Sequence, residues 1–151
     1  MRKPRRSIAA LAAVVIASVA LAEIHSIPPD QLDPQKVYWG VASGFEKPGE
    51  VQFDEIIKAT PEYKELKRKK IERGTGKYWI LMSQASDRAI KAISQVGQET
   101  EYDLIAAQGY LGSLKPPIKA DDITKLVLDT MNKTIASSGS GGKSGKRGNE
   151  R

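Results

Sequence analysis

The sequence predicts an α+β domain: a small β-sheet body, a short projecting antiparallel helical hairpin and a C-terminal helix. Three observations predict it. Thr60 to Ile105 reads as helix, tight reversal, helix and strand. Short apolar runs, Val37 to Ala42 or Val51 to Phe53 together with Tyr102 to Ala107, have the composition of strands. Asp121-Asp122-Ile123-Thr124 then opens a helix whose buried face is Ile123, Leu126, Val127 and Met131.

In chain order, Met1 to Ala22 has the three parts of a secretory leader. Arg2 to Arg6 is basic, Ile8 to Val19 is apolar and uncharged, and Ala20-Leu21-Ala22 puts small residues at the cleavage positions. Cleavage is expected after Ala22, with export to the periplasm. Residues 23–36, with Pro28-Pro29 and Pro34, read as a linker or arm. The only histidine, His25, lies there and reads as a solvated linker residue. Residues 37–136 form the expected domain. Within it, Ser43 to Gly49 has turn chemistry. Val51 and Phe53 can finish a strand, or Phe53, Ile56 and Ile57 can line a helix with Asp54 and Glu55 at its positive end. Gly109 to Lys119 is loop-like, and residues 137–151 read as a disordered basic tail.

The hairpin carries the most specific local signals. Thr60 is a candidate N-cap and Pro61 suits the first helical position, where its missing N–H is not needed. Gly74 and Gly76 are expected to end the first helix and turn the chain, because glycine takes positive φ at little cost. Trp79, Met82, Ala89, Ile93 and Val96 fall at helical spacing in the second arm. Between Glu62 and Lys77, seven basic residues face three acidic ones, a local surplus of four positive charges. Lys67, Arg68, Lys69, Lys70, Arg73 and Lys77, with Tyr78 and Trp79, are the candidate residues for binding a client or a membrane. Tyr78 and Trp79, Trp79 above all, also have a competing reading as a clamp between hairpin and body.

Composition excludes several functions. The chain has no cysteine, so disulfides and thiol chemistry are absent. The formal charge of +6 sits in the ends, since residues 23–138 hold 16 basic and 17 acidic side chains. A nucleic-acid partner is therefore not expected. Gly74-Thr75-Gly76-Lys77 lacks the first glycine and the following Ser/Thr of a phosphate loop. No spacing unites the remaining carboxylates, lysines, tyrosines and serines into a catalytic group. No catalytic residue, metal ligand or cofactor is assigned.

Three phrases then resemble a known family, the periplasmic chaperones of the Skp (OmpH-like) type. Asp54 to Lys67, through Thr60-Pro61-Glu62-Tyr63-Lys64, looks like the family's first helix, entered from a strand. Ala89 to Ile105 is similar to its return helix and following strand. Asp122-Ile123-Thr124-Lys125-Leu126-Val127 looks like the opening of its closing helix. The resemblance covers about Val51 to Lys133. It implies a non-enzymatic holdase that binds unfolded outer-membrane proteins or other envelope clients, and a homotrimer joined through the sheet-containing body. An anionic membrane surface is a further expected partner. The chain departs from the family in its arms, which span roughly three and five turns at ~1.5 Å per residue, and in the Gly-rich Ser43 to Gly49. An interaction module that keeps the fold without chaperone activity is the alternative, and a periplasmic enzyme is the third reading.

Overall fold

The structure, a computed structural model, describes residues 23–140. The leader expected at Met1 to Ala22 and the tail beyond Ser140 lie outside the described residues. The elements are β1 (His25–Ser26), β2 (Val37–Gly40), β3 (Ser43–Phe45), β4 (Pro48–Val51), α1 (Phe53–Ala59), α2 (Pro61–Arg68), α3 (Gly76–Glu99), β5 (Leu104–Ala107), a short 3₁₀ turn at Leu111–Ser113, β6 (Asp121–Asp122) and α4 (Thr124–Ser140). The architecture is α+β, as the sequence predicts.

The main sheet has the order β2-β5-β4-β6. β5 and β6 both run parallel to β4, while β2 pairs antiparallel with β5. A parallel pair needs a long crossover, and α1, α2 and α3 supply the one between β4 and β5. Leu104-Ile105-Ala106-Ala107 is an unbroken apolar run because β5 is covered on both faces. Ile105 turns to the helices, where it joins Val51, Ile56, Ala89, Ile93, Val96 and Val127. Leu104 and Ala106 turn to the other face and meet Ile27, Phe45, Tyr110, Leu111, Leu114 and Ile118.

That second face corrects the reading of residues 23–36 as a plain linker. The segment is extended, but β1 pairs with β3 and Ile27 is buried beneath the sheet. His25 is half-buried, with its ring 5.8 Å from that of Phe45. The Tyr110 hydroxyl accepts the N–H of Asp33 at 2.8 Å and donates to the carbonyl of Gln31 at 2.9 Å. Ser43 to Gly49 is likewise more than a turn: it forms β3 and the start of β4. Both candidate first strands are used, with the second shifted to Pro48–Val51, and Phe53 opens α1 instead of closing a strand. The Asp103 carboxylate explains the shift. It accepts the N–H groups of Glu46 at 2.7 Å and Lys47 at 3.0 Å, which fixes the chain just before β4.

The polar ends of the parallel strands are closed by side chains. Glu50 accepts the N–H groups of Gly109 and Leu111 at 2.9 and 2.8 Å. Asp122 accepts the N–H of Thr124 at 3.0 Å and so caps α4, as one of the expected candidates. The Thr124 hydroxyl donates to Asp122 and accepts the N–H of Gln52, its acidic partner held below the usual carboxylate range by these bonds. α4 continues through Ser140, so the tail does not begin at Ser137.

Candidate functional site

The hairpin is built from two consecutive short helices, α1 and α2, packed against one long one, α3. Thr60 ends α1 and caps α2, its hydroxyl accepting the N–H of Tyr63 at 3.2 Å, with Pro61 in the first turn. The sequence signal at this junction is therefore realised. α2 packs on α3 through Leu66, which is buried, and through Glu62, whose two carboxylate oxygens accept from Arg88 Nε at 3.0 and 2.9 Å. Burial acts to raise the Glu62 pKa, but the Arg88 hydrogen bonds outweigh it and hold the group below its ordinary value.

The reversal differs from expectation. α2 does not end on a glycine. It ends at Lys70, which takes φ 49°. The N–H of Ile71 reaches the carbonyl of Leu66 at 3.1 Å, and that of Lys70 reaches Lys67 at 3.3 Å. This is the paired bonding of a Schellman end, with Ile71 and Leu66 in the positions that make its apolar contact. Gly74 does take positive φ, 90°, later in the turn, whereas Gly76 is the first residue of α3 and needs no special conformation. Thr75 caps α3 by accepting the N–H of Tyr78 at 3.2 Å, a cap that the sequence reading missed. A threonine three residues before the first tyrosine of the arm was the available signal.

The apolar face of α3 agrees with the expected one at Ala89, Ile93 and Val96, which are buried, and at Met82, which is partly buried against the core; Trp79 alone departs from it. Leu81, Ala85, Ala89, Ala92, Ile93 and Val96 are buried, at spacings of three and four. Trp79 lies off this stripe and is 63% exposed, and its neighbour Ile80 is 60% exposed. The clamp reading of Trp79 is thus overturned. Its ring stands edge-on to that of Tyr78 at 5.4 Å. Leu81, Ala85 and Ala92 complete the face and were not singled out in the sequence.

The structure brings the candidate residues together at one end of the hairpin. Lys67 and Arg68 close α2, Lys69 and Lys70 follow, Arg73 lies in the turn, and Lys77, Tyr78 and Trp79 open α3. Every residue from Glu72 to Lys77 is exposed. Lys69 pairs with Glu65 at 2.6 Å and Lys67 lies 5.6 Å from the ring of Tyr63. Among the described residues, Arg68, Lys70, Arg73 and Lys77 form no ion pair. Ile80, absent from the sequence-based set, belongs to the same tip.

An open cleft of about 480 Å³ lies beside Trp39, Val41, Phe45, Gly97, Glu101 and Asp103. The Asp103 carboxylate there is committed to backbone N–H groups. Lys47 pairs with Glu101 and lies 5.1 Å from the Tyr102 ring, whose hydroxyl donates to Asp121 at 3.1 Å. Among the described residues there is no group of three or more His, Cys, Asp or Glu arranged to hold a metal. No helix among them is long and apolar enough to cross a membrane. No family model, curated protein or solved structure matches this chain.

Proposed function

We propose that this protein is a non-enzymatic binding protein of the periplasm, a Skp-like holdase that captures unfolded outer-membrane or other envelope clients with its hairpin tip. The observation that carries the reading is the exposure of Trp79 and Ile80 at the same tip as Arg68, Lys70, Arg73 and Lys77, which form no ion pair among the described residues. Charge speeds the encounter and fades with salt. Apolar burial then holds the client, at about 1–2 kcal/mol for each of the two side chains. Self-association through the sheet-containing body, a homotrimer on the family resemblance, would bring several tips to one client and raise avidity without new contacts.

The test is aggregation of an unfolded outer-membrane protein, followed by light scattering at low and high salt. Wild type suppresses aggregation. Replacing Lys67, Arg68, Lys69 and Lys70 together by glutamate slows or abolishes suppression at low salt while the circular dichroism stays unchanged. A wild type that never suppresses aggregation would sink the holdase reading and leave an interaction module of the envelope in its place.

A further inference from the structure

We infer that the hairpin tip is also an interfacial anchor for an anionic lipid surface, with Trp79 and Ile80 entering the boundary between headgroups and acyl chains. The inference deepens the reading above by naming a partner for the same tip.

Three observations carry it. The first is the apolar pair. Trp79 and Ile80 are consecutive, both lie off the buried stripe of α3, and both are more than half exposed. Tryptophan and a branched aliphatic beside lysines make the composition that settles at a membrane interface. The pair is already ordered: the Thr75 cap and the Trp79 N–H to Thr75 carbonyl bond, 3.2 Å, form the first turn of α3. Docking therefore requires no folding of the tip.

The second observation is the distribution of charge over the whole body. Residues 23–138 carry a net charge of −1, and Glu62 to Lys77 carry +4. The remainder of the body is therefore at −5 (−1 − 4), counted over the same residues. An anionic surface attracts the tip and repels the remainder of this body, which favours a tip-first approach of residues 23–138. The third is shape. Lys67, Arg68, Lys70, Arg73 and Lys77 surround an exposed reversal in which every residue from Glu72 to Lys77 is open to solvent. A reversal open to solvent at every residue leaves its cations accessible to an anionic surface. No helix among the described residues is long and apolar enough to cross a membrane, and the proposed contact is through the tip.

The experiment uses the chain from Glu23 onward, which contains all the buried residues of both core clusters. It is floated with vesicles of phosphatidylcholine and phosphatidylglycerol, and with vesicles of phosphatidylcholine alone, at low and high salt. Flotation is expected with the anionic vesicles at low salt and about tenfold less without phosphatidylglycerol or at high salt. Trp79→Ser with Ile80→Ser should lower the bound fraction about tenfold with unchanged circular dichroism. The protein has two tryptophans, so in Trp39→Phe only Trp79 reports. Its emission should shift to the blue on vesicles and be quenched by lipids brominated near the headgroup. Should Trp39→Phe fail to fold, the same quenching is read in wild type and must vanish in Trp79→Phe. Equal flotation on neutral vesicles, unquenched Trp79, or tip variants that float like wild type would each overturn the inference. The last result would place the binding in the basic residues after Ser140. Flotation without suppression of client aggregation fails the holdase reading alone, and suppression without flotation fails this one alone.

Discussion

Gly97 shows how one small residue sets the contact between sheet and helix. It sits inside α3, where alanine is intrinsically favoured by about 1 kcal/mol. Yet a Cβ at this position would collide with Nε1 and Cδ1 of Trp39. The absent side chain is what lets the Trp39 indole of β2 lie directly on the helix. Gly97→Ala is therefore expected to destabilise, because displacing a packed indole costs more than the propensity gain, with a net loss of about 1–2 kcal/mol. Denaturant unfolding measures the loss, and a red shift of native emission would report the displaced Trp39. A variant as stable as wild type would show that the indole moves freely. Lys70 is the opposite case, a residue with a side chain in a conformation glycine prefers. The charge it brings to the tip accompanies a local cost of about 1–2 kcal/mol for a left-handed L-residue.

At the scale of elements, α2 is too short to stand alone, since isolated helices below about 12–15 residues are marginal in water. It spans Pro61–Arg68 and depends on Leu66 and on the Glu62 to Arg88 pair for its place on α3. The Glu62 carboxyl is mostly covered, while Arg88 retains 38% exposure, so solvent screens part of the attraction. The folded-state pKa of Glu62 is lowered. Its contribution is therefore fully present above the ordinary carboxylate value and lost as pH falls through the folded value. Glu62→Gln should cost about 1 kcal/mol at pH 7. The difference from wild type should shrink below the unfolded value of about 4.3 and disappear once wild-type Glu62 is protonated. Chemical denaturation of both proteins from pH 7 to pH 3 checks this. A difference that does not change with pH would mean that the pair acts by packing alone.

For the whole molecule, the sheet has two covers of unequal kind. Helices cover one face, and extended segments cover the other. The second cover is pinned by Tyr110, which is 6% exposed and bonded through its hydroxyl to both Asp33 and Gln31. Tyr110→Phe leaves an N–H and a carbonyl without these partners, at about 1–2 kcal/mol. Hydrogen exchange should then quicken in residues 23–36 and leave α3 and β5 largely unchanged. Uniform loss of protection across the chain would show instead that both covers unfold as one unit. This separation matters for the tip, because α2 and the reversal belong to the helical cover and do not touch the second core cluster. The hairpin tip can therefore vary in charge while the sheet and its second cover remain as they are.

The sequence by itself determined the α+β class, the strand–hairpin–strand–helix order of the main elements and several of their ends, while β1, β3 and β6 were not legible in it. Thr60-Pro61 marks α2, Tyr102 to Ala107 contains β5, and Asp121 to Thr124 opens α4, because caps, proline and apolar runs act over a few residues. It also determined the grouping of the tip cations, which are neighbours along the chain. Only the tertiary structure decided what faces what. The alanine-rich stripe of α3 became the core face because small side chains let the sheet and α4 approach, and that turned Trp79 and Ile80 outward. The strand character of Ser43 to Val51 and the burial of Ile27 were likewise settled from afar, by Asp103, Leu104 and Tyr110. Those partners lie more than fifty residues away, beyond the reach of any local pattern of propensity or periodicity.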